Sequence, residues 1–449
     1  MLTPEIFKAN DIRGVVGQEW DDLGAQALGQ AYAAVTDQPW VLLGRDMRQS
    51  AVGLRQGFVD GLTAAGVSVI DVGLVSTDAL WFASGWLDLP GVQITASHNP
   101  ASYNGLKFCR PGAKPIDPDW LAVLAEQAGR IDAGGVVATT AARGQVVQRD
   151  LLPDYAAYLD HLVPLAGIRR LKVVVDAGNG MAGQTVPAVL GRHNLDIVDL
   201  YFDLDGSFPH HQPNPLDPAN LIDARQAVRD SAADLAVVFD GDADRAFVID
   251  QRGQVVPPSA ITAMIAVMEL AKQPGASIVV NTITSAAVKQ IVAEHGGRVV
   301  ESRVGHSYMK AAMAREDAIF GGEHSGHYYF RDFYGADSGM LAALHVLSVL
   351  GHSDQPLSDL VAQYDRYPAS GEINTTVADV AGCLNRVAAV MADRGETTWD
   401  DGLKVSGSDW WVSLRASNTE PFLRLNVEAA TPGQVAALRD EILSLIEEG

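Results

Sequence analysis

Three carboxylates at alternate positions give this sequence its sharpest chemical signal. The run from Asp240 to Arg245 reads Asp-Gly-Asp-Ala-Asp-Arg and follows an apolar segment. Carboxylates this crowded repel one another unless a positive group lies between them, and Mg²⁺ prefers oxygen ligands that it usually shares with a phosphate. A calcium EF-hand loop is excluded, because Arg245 and Gln251 stand where it needs Gly and Glu. The triplet Asp240, Asp242 and Asp244 therefore predicts a magnesium site, with a solvated acidic turn as the alternative.

A serine occupies a similar place after another short apolar segment. The run Thr95-Ala-Ser-His-Asn-Pro holds Ser97 in a turn, because the residue before a proline is kept out of helix. A serine hydroxyl is a poor nucleophile unless a base or a metal assists it. The Gly-x-Ser-x-Gly pattern of a hydrolase elbow is absent around Ser97. Ser97 is a candidate nucleophile, and the alternative is a turn closed by a side-chain hydrogen bond.

A third polar loop follows the segment Ala-Ile-Phe that ends at residue 320. The run Gly-Gly-Glu-His-Ser-Gly-His carries Glu323 and Ser325, which can exchange hydrogen bonds with vicinal sugar hydroxyls. A metal site on His324 and His327 is disfavoured, because the sequence offers no third ligand nearby.

A fourth polar loop follows the apolar strand predicted at Trp410–Leu414. An Arg, two hydroxyls and an amide lie within five residues of one another, and they are Arg415, Ser417, Asn418 and Thr419. Arg offers a planar fork to a phosphate, and short polar side chains with backbone N–H groups can bind its other oxygens. The run predicts a phosphate site, and the alternative is a polar hairpin turn.

Three basic residues are weaker signals. Arg13 stands in Asp-Ile-Arg-Gly, Lys107 follows the serine loop, and His306 precedes the glutamate loop. Each by itself is compatible with an ordinary solvated side chain.

These loops need a scaffold that brings them together, and the sequence predicts an α/β one. Short apolar runs alternate with helical stretches. The predicted strands include Trp40–Leu43, Val67–Val72, Leu171–Val175, Leu235–Phe239 and Ile278–Val280. The predicted helices include Ser50–Ala65, Pro153–Leu162, Ala219–Ser231, Ser259–Ala271 and Ala286–His295.

The first three loops form a faint internal repeat, in which a short apolar strand ends in a dense polar loop. Ligands collect at the carboxyl ends of strands in open α/β sheets, so three such loops, one per domain, are expected around a shared cleft. The tail differs and predicts strand, helix (Val380–Arg394), strand, strand and helix (Thr431–Glu448) in a smaller α+β domain. The predicted domains are 1–146, 147–250, 251–366 and 367–449.

Composition narrows the class of function. A net charge of −22 argues against a nucleic-acid partner, whereas a few basic side chains in one cleft can still bind small phosphorylated molecules. Only Cys109 and Cys383 occur, which supports neither a disulfide framework nor a zinc cluster. There is no apolar run long enough to span a bilayer and no apolar leader, so we expect a soluble cytoplasmic protein without membrane partners.

The four loops, in this order and over essentially the whole chain, resemble the α-D-phosphohexomutase family, in its phosphomannomutase/phosphoglucomutase branch. The resemblance implies a heart-shaped fold of three related α/β domains and a smaller α+β domain. It implies that Ser97 is the phosphorylated residue and, with Asp240, Asp242 and Asp244, ligates Mg²⁺. It also implies that Glu323 and Ser325 contact sugar hydroxyls. The remaining implied site residues are Arg13, Lys107, His306 and Arg245 near the transferring group, and Arg415, Ser417, Asn418 and Thr419 at the non-reacting phosphate.

The resemblance further implies a reaction. Phospho-Ser97 donates its phosphoryl group to a hexose 1-phosphate, the 1,6-bisphosphate turns over within the closed cleft, and Ser97 is rephosphorylated; a hexose 1,6-bisphosphate is the expected activator. Mannose phosphates are the first expected substrates, with glucose or glucosamine phosphates as alternatives. Rival interpretations are a metal-dependent phosphatase, a phosphatase that uses Asp240 as nucleophile, and a silent sugar-phosphate-binding protein. The sequence leaves the oligomeric state open.

Overall fold

A computed structural model of the protein describes residues 1–134, 142–416 and 422–447. The described residues form four β-sheets, which follow one another along the chain. Each sheet belongs to one domain, and helices cover it.

Domain 1 is a six-stranded mixed sheet in the order β1-β5-β4-β2-β3-β6. The inner strand β2 is apolar and buried through its middle, because helices cover both faces of the sheet. The elements are β1 (Ile12–Val15), α1 (Asp22–Val35), β2 (Trp40–Arg45), α2 (Ala51–Ala64), β3 (Ser68–Leu74), α3 (Thr77–Leu87), β4 (Gly91–Ile94), β5 (Tyr103–Cys109), α4 (Pro118–Asp132) and β6 (Val146–Gln148).

Domains 2 and 3 are five-stranded sheets in the orders β11-β10-β9-β7-β8 and β13-β12-β14-β15-β16. Domain 2 contains α5 (Leu152–Leu162), β7 (Leu171–Asp176), α6 (Ala182–Leu190), β8 (Leu195–Leu200), α7 (Ile222–Ser231), β9 (Leu235–Phe239), β10 (Ala246–Asp250) and β11 (Val255–Val256). Domain 3 contains α8 (Pro258–Lys272), β12 (Ser277–Asn281), α9 (Ala286–Glu294), β13 (Arg298–Ser302), α10 (His306–Glu316), β14 (Phe320–Gly322), β15 (Tyr328–Phe330), β16 (Ala336–Asp337), α11 (Gly339–Gly351) and α12 (Leu357–Val361).

Domain 4 is an antiparallel sheet in the order β17-β21-β20-β19-β18 with two helices. Its elements are β17 (Ile373–Thr376), α13 (Val380–Met391), β18 (Glu396–Thr398), β19 (Leu403–Ser406), β20 (Trp410–Ala416), β21 (Phe422–Ala429) and α14 (Pro432–Glu447). The expectation of three strands in the tail was wrong, since the sheet has five. The edge strand β18 is short and largely exposed, so it carries no apolar run that the sequence could reveal.

The three chemistry-bearing loops of domains 1–3 occupy the same topological position. Each connects an inner strand to the antiparallel strand beside it, and the pairs are β4 with β5, β9 with β10, and β14 with β15. The internal repeat seen in the sequence is thus a structural repeat. The predicted class, three related α/β domains and a smaller fourth domain, is confirmed.

The domain boundaries stay predictions. The structure ends the sheet of domain 1 with β6, at Val146–Gln148, and begins the next helix at Leu152.

One apolar core joins domains 1–3, smaller cores lie within each of these domains, and domain 4 has a core of its own. One continuous cluster of buried side chains draws on domains 1, 2 and 3, from Leu42 to Val361. Domain 4 has its own core, whose buried members run from Cys383 to Ile446. Among the described residues, no helix is both long and apolar enough to cross a membrane. Cytoplasmic location stays a prediction.

Candidate active site

Ser97 lies in the loop after β4 and faces domain 2. It is almost fully buried, and its backbone is left-handed with φ of 49°, a conformation that is rare for a residue with a side chain. Its N–H donates to Thr95 Oγ1 at 2.9 Å, which helps to hold this turn. Its hydroxyl donates to Asp240 Oδ2 at 2.7 Å. The serine loop of domain 1 and the aspartate loop of domain 2 therefore meet at the hydroxyl of Ser97.

The aspartate triplet is buried between two cations. Oxygen atoms of Asp240, Asp242 and Asp244 lie within 4.8 Å of one another. Arg245 donates to Asp240 Oδ2 from Nε at 2.9 Å and from Nη2 at 2.8 Å. Lys107 Nζ, which comes from domain 1, donates to Asp242 at 2.7 Å and to Asp244 at 2.6 Å. Three negative charges are thus concentrated beside Ser97 and partly neutralised across the domain interface.

The pKa values in this cluster reflect burial and charge together. Burial alone would lower the pKa of Lys107, but Asp242 and Asp244 outweigh it and raise that pKa, so the ammonium stays protonated. Burial alone would raise the pKa of Asp242, but Lys107 and the hydroxyl of Thr77 lower it below its usual range. Burial and the charge of Asp242 raise the pKa of Asp244. Asp242 therefore holds its negative charge most firmly, whereas burial and neighbouring carboxylates make ionisation less favourable at Asp240 and Asp244.

The triplet fits a divalent cation. The Oδ1 atoms of Asp242 and Asp244 are buried and have no hydrogen-bond partner within the described parts of the chain. A buried carboxylate oxygen without a donor is costly, and a cation that takes oxygen ligands would remove that cost. Mg²⁺ is such a cation, and a serine-bound phosphoryl group would share it.

The three basic residues that were weaker signals in the sequence lie near Ser97, around a cavity of about 210 Å³. Its lining includes Ser97, Arg13, Lys107, Arg245 and His306. Arg13 Nη1 donates to Asn99 Oδ1, in the serine loop, at 2.8 Å. Arg13, Lys107 and His306, which are distant from one another in the sequence, thus line one cavity with Ser97.

His306 begins α10 and reaches this cavity from domain 3. Burial, assisted by the nearby ammonium of Lys310, lowers the pKa of His306 to about 4. Its imidazole is therefore neutral at pH 7.

Glu323 and Ser325 lie on the glutamate loop of domain 3, and Glu323 is buried. Its carboxylate accepts from Gly305 N at 3.1 Å and from the hydroxyl of Tyr329 at 2.7 Å. Ser325 Oγ lies 2.9 Å from His327 Nδ1, and His327 Nε2 lies 3.8 Å from Asp244 Oδ1. His327 therefore connects the glutamate loop to the aspartate loop.

Arg415 lies at the end of β20 in domain 4, apart from the cavity around Ser97. Its Nη2 is 3.7 Å from Glu372 and its Nε is 3.9 Å from Asp401, so the guanidinium is surrounded by negative charge. The other three predicted phosphate ligands, Ser417, Asn418 and Thr419, lie outside the described residues. Their role stays a prediction.

Sequence reasoning missed Arg48, which holds the serine loop. This side chain is fully buried, and its guanidinium donates to the carbonyls of Ser97 at 2.8 Å, Asn99 at 2.7 Å and Pro100 at 2.8 Å. It also pairs with Asp46 at 3.2 Å. An Asp-x-Arg run in a loop is common in sequences, so nothing in it indicated this role.

Two further residues were missed or set aside. Thr77 donates its hydroxyl to Asp242 Oδ2 across the interface between domains 1 and 2. His327 was weighed only as a metal ligand, yet it lines the cavity with Ser97. Only the folded arrangement of three domains brings these side chains to the site.

Family models match all four domains. The matched descriptions are phosphoglucomutase/phosphomannomutase alpha/beta/alpha domain I at residues 4–134, domain II at 154–253, domain III at 257–367 and the C-terminal domain at 372–445.

Individual relatives match over nearly the whole chain. A protein of Salmonella montevideo named phosphomannomutase is 39% identical over 435 residues, which are 94% of each chain. A Xanthomonas campestris protein named phosphohexose mutases is 37% identical over 455 residues and the full length of both chains. A crystal structure of a phosphoglucomutase/phosphomannomutase family protein from Burkholderia thailandensis is 31% identical, with a TM-score of 0.88 over 100% of this chain and 98% of that one.

Proposed function

This chain belongs to the phosphoglucomutase/phosphomannomutase family, and on that premise we propose that it interconverts mannose 1-phosphate and mannose 6-phosphate. It is a phosphohexomutase, an isomerase that moves a phosphate on a hexose. Mannose is the first choice because a relative at 39% identity is named phosphomannomutase. Glucose phosphates are a second substrate, since the matched family models are described as phosphoglucomutase/phosphomannomutase.

The observation that carries the proposal is the position of Ser97. Its hydroxyl lies 2.7 Å from Asp240, within a cavity that Lys107, Arg245 and Arg13 also line. Phosphoryl transfer depends mostly on positioning and on neutralising charge on the moving group, and this arrangement supplies both. A binding protein would not require a buried serine held in a left-handed turn beside three carboxylates.

Phospho-Ser97 donates its phosphoryl group to the free hydroxyl of the bound hexose phosphate. The bond from phosphorus to Ser97 Oγ breaks as the bond to the sugar oxygen forms, and the sugar hydroxyl loses its proton to a base. His306, which lines the cavity with Ser97, would take this proton. Lys107, whose pKa is raised, suits charge neutralisation better than proton transfer.

Asp240, Asp242 and Asp244, with a phosphoryl oxygen on Ser97, would hold Mg²⁺. When bound, the cation neutralises charge on the transferring group. Arg245 and Lys107 orient the carboxylates, and Arg13 positions the serine loop through Asn99.

Each phosphate of the bisphosphate must occupy the site at Ser97 in turn, because the intermediate returns its other phosphoryl group to Ser97. Arg415, with Ser417, Asn418 and Thr419, would hold the non-reacting phosphate in both orientations. Glu323 and Ser325 would contact hydroxyls that occupy similar places either way round. Domain 4 closes over the substrate and excludes water that would hydrolyse phospho-Ser97. A hexose 1,6-bisphosphate acts as activator because it restores the phosphoserine.

The testing experiment is a parallel assay of the purified protein with Mg²⁺ and trace glucose 1,6-bisphosphate. Mannose 1-phosphate, glucose 1-phosphate and glucosamine 1-phosphate are the substrates, and Ser97→Ala is the control. We expect the 6-phosphates of mannose and glucose, and no activity in the variant. Release of inorganic phosphate in place of isomerisation would identify a phosphatase instead. Retained activity in Ser97→Ala with loss in Asp240→Asn would make Asp240 the nucleophile, and binding without turnover would indicate a silent sugar-phosphate-binding protein.

A further inference from the structure

Asp401 joins domain 4 to domain 3 beside Arg415. Its Oδ2 accepts from Val304 N at 2.9 Å and from Thr282 Oγ1 at 3.3 Å, and both donors belong to domain 3. The same oxygen is 3.9 Å from Arg415 Nε within domain 4. Arg303 Nε, also of domain 3, is 3.9 Å from Asp401 Oδ1. The side chain of Asp401 is only 11% exposed, so these groups share one largely desolvated charge.

The backbone fixes Asp401 in this place. Asp401 lies in the turn that enters β19, and Gly402, the next residue, has φ of 79°. A Cβ at Gly402 would lie 2.4 Å from the carbonyl oxygen of Leu414, so only glycine permits this close approach to β20. The carboxylate is therefore held next to Arg415 by a turn that cannot relax without breaking the pairing of β19 with β20.

Asp401 orients Arg415 without using its donors. Separations of 3.9 Å to Asp401 and 3.7 Å to Glu372 are too long for hydrogen bonds. The Nε of Arg415 is buried and has no hydrogen-bond acceptor in the described ranges. The two carboxylates attract the guanidinium electrostatically, while its terminal Nη groups, unlike the buried Nε, stay available for a phosphate.

The domain 3 side of the contact leads to the reacting centre. Val304 is followed by Gly305, whose N–H donates to Glu323, and then by His306, which begins α10. The segment from Val304 to His306 is thus held between Glu323 of its own domain and Asp401 of domain 4. A shift of domain 4 would be transmitted to His306 through two backbone N–H groups.

We propose that Asp401 is a positioning residue that couples phosphate binding at Arg415 to closure of domain 4 and to the placement of His306. This inference rests on the proposed function for its catalytic readout. When a phosphate binds Arg415, Asp401 keeps the Val304–His306 segment in place and closes the cleft. Without its charge, the cleft opens more often, and water competes with the sugar hydroxyl for the phosphoryl group of phospho-Ser97. In that side reaction the P–Oγ bond breaks, a P–O bond to water forms, and inorganic phosphate and the serine hydroxyl result.

The test compares Asp401→Asn and Asp401→Ala with the wild type, using mannose 1-phosphate. Asn keeps an oxygen acceptor but loses the charge, and Ala loses both. We expect KM to rise about tenfold in Asp401→Asn and further in Asp401→Ala, with a smaller change in kcat. We also expect several times more inorganic phosphate per isomerisation, which a merely structural role would not produce.

Glu428→Gln is the matched control. Glu428 is also a buried carboxylate of domain 4 that accepts a backbone N–H of domain 3, that of Ala286 at 2.9 Å. It lies beside the linker rather than beside Arg415, since it is bridged to Ala369. We expect this variant to keep the KM and the low phosphate release of the wild type. If Asp401→Ala matches Glu428→Gln in both quantities, the inference is wrong.

Hydrogen exchange of the substrate-free protein tests the same contact without catalysis. Asp401→Ala should raise the exchange rate of the peptide that contains Val304 and Gly305, and Glu428→Gln should leave it unchanged. Unaltered exchange there in Asp401→Ala overturns the inference even if the wild type proves to be no mutase. A mutase that shows the altered exchange but no change in KM or phosphate release would restrict Asp401 to a structural contact and would also overturn it.

Discussion

The interfaces among domains 1–3 are largely apolar, whereas the interface between domain 3 and domain 4 is polar. The first three domains share one apolar core, beside smaller cores of their own, and bury polar contacts between them, such as the hydrogen bond from Thr77 to Asp242. Domain 4 has a separate core and meets domain 3 through polar contacts at Asp401, Lys404 and Glu428. Apolar burial is strong and relaxes little, whereas polar contacts exchange readily with water. We therefore expect the polar joint between domains 3 and 4 to open more easily than the apolar joints among domains 1–3.

The largest effect expected from this contrast is on turnover. Asp242→Asn removes one carboxylate of the aspartate triplet, the proposed magnesium site, and one partner of Lys107. We expect kcat to fall by about 10³-fold with little change in KM, because the charge acts on the transferring group. Steady-state kinetics at saturating Mg²⁺ measure this. A raised KM with unchanged kcat would assign Asp242 to substrate binding. The division between a catalytic part in domains 1–3 and a binding part in domain 4 would then be wrong.

A core substitution should separate the two parts in stability. Phe82 is fully buried in the shared core and contacts Tyr155 at 5.9 Å between ring centroids. We expect Phe82→Ala to lower the free energy of unfolding of domains 1–3 by about 3–5 kcal/mol. Hydrogen exchange should show no matching change in domain 4.

Val412→Ala, in the core of domain 4, is the matched variant. It should raise exchange in domain 4 alone, by a smaller amount. If either substitution raises exchange equally in all four domains, the two cores unfold as one cooperative unit.

Arg415→Lys tests the binding role of domain 4. Lys cannot offer the planar fork that matches a phosphate, so we expect KM for mannose 1-phosphate to rise by about 10- to 100-fold. The fall in kcat should be smaller, because Arg415 lies apart from the cavity around Ser97. An effect on kcat as large as that of Asp242→Asn would show that both parts act on the chemical step.

The smallest expected effect is a pH dependence of stability that arises from His306. Its pKa is about 4 in the folded protein and 6.5 ordinarily, so between these values only the unfolded chain binds the proton. This residue therefore lowers the free energy of unfolding as the pH falls from about 6.5 to about 4. The melting temperature of the wild type minus that of His306→Gln should decrease over this interval. Parallel melting curves would show that His306 is not buried as a neutral group.

The strand-to-loop pattern made much of the fold and site predictable. Two short apolar runs each predicted a buried strand. The polar runs after them, Asp-Gly-Asp-Ala-Asp-Arg and Thr-Ala-Ser-His-Asn-Pro, predicted the loops that carry the site residues. The helix predicted at Ser50–Ala65 is observed as α2 at Ala51–Ala64, since apolar periodicity is a local property. The helix predicted from Ala219 instead begins with a 3₁₀ turn at Pro218–Leu221, and α7 follows from Ile222.

Contacts between distant segments could not be predicted. Arg48 lies about 50 residues from the carbonyls that it binds, and Asp401 about 100 residues from Val304. A lone Arg or Asp in a loop is usually solvated, so its residue type does not reveal a buried partner. Strand β18 was missed because an exposed edge strand needs no apolar residues, so its sequence carries no strand pattern.

The separate core of domain 4 has a consequence for synthesis on the ribosome. All the buried members of that core lie after those of the shared core in the chain, so domains 1–3 can complete theirs before domain 4 emerges. Until then the domain 3 groups that later hydrogen-bond to Asp401, Lys404 and Glu428 are backbone groups and one hydroxyl, which water can solvate. An apolar interface at this place would expose an aggregation-prone surface during translation. The polar interface lets domains 1–3 remain soluble on the ribosome until domain 4 has been synthesised.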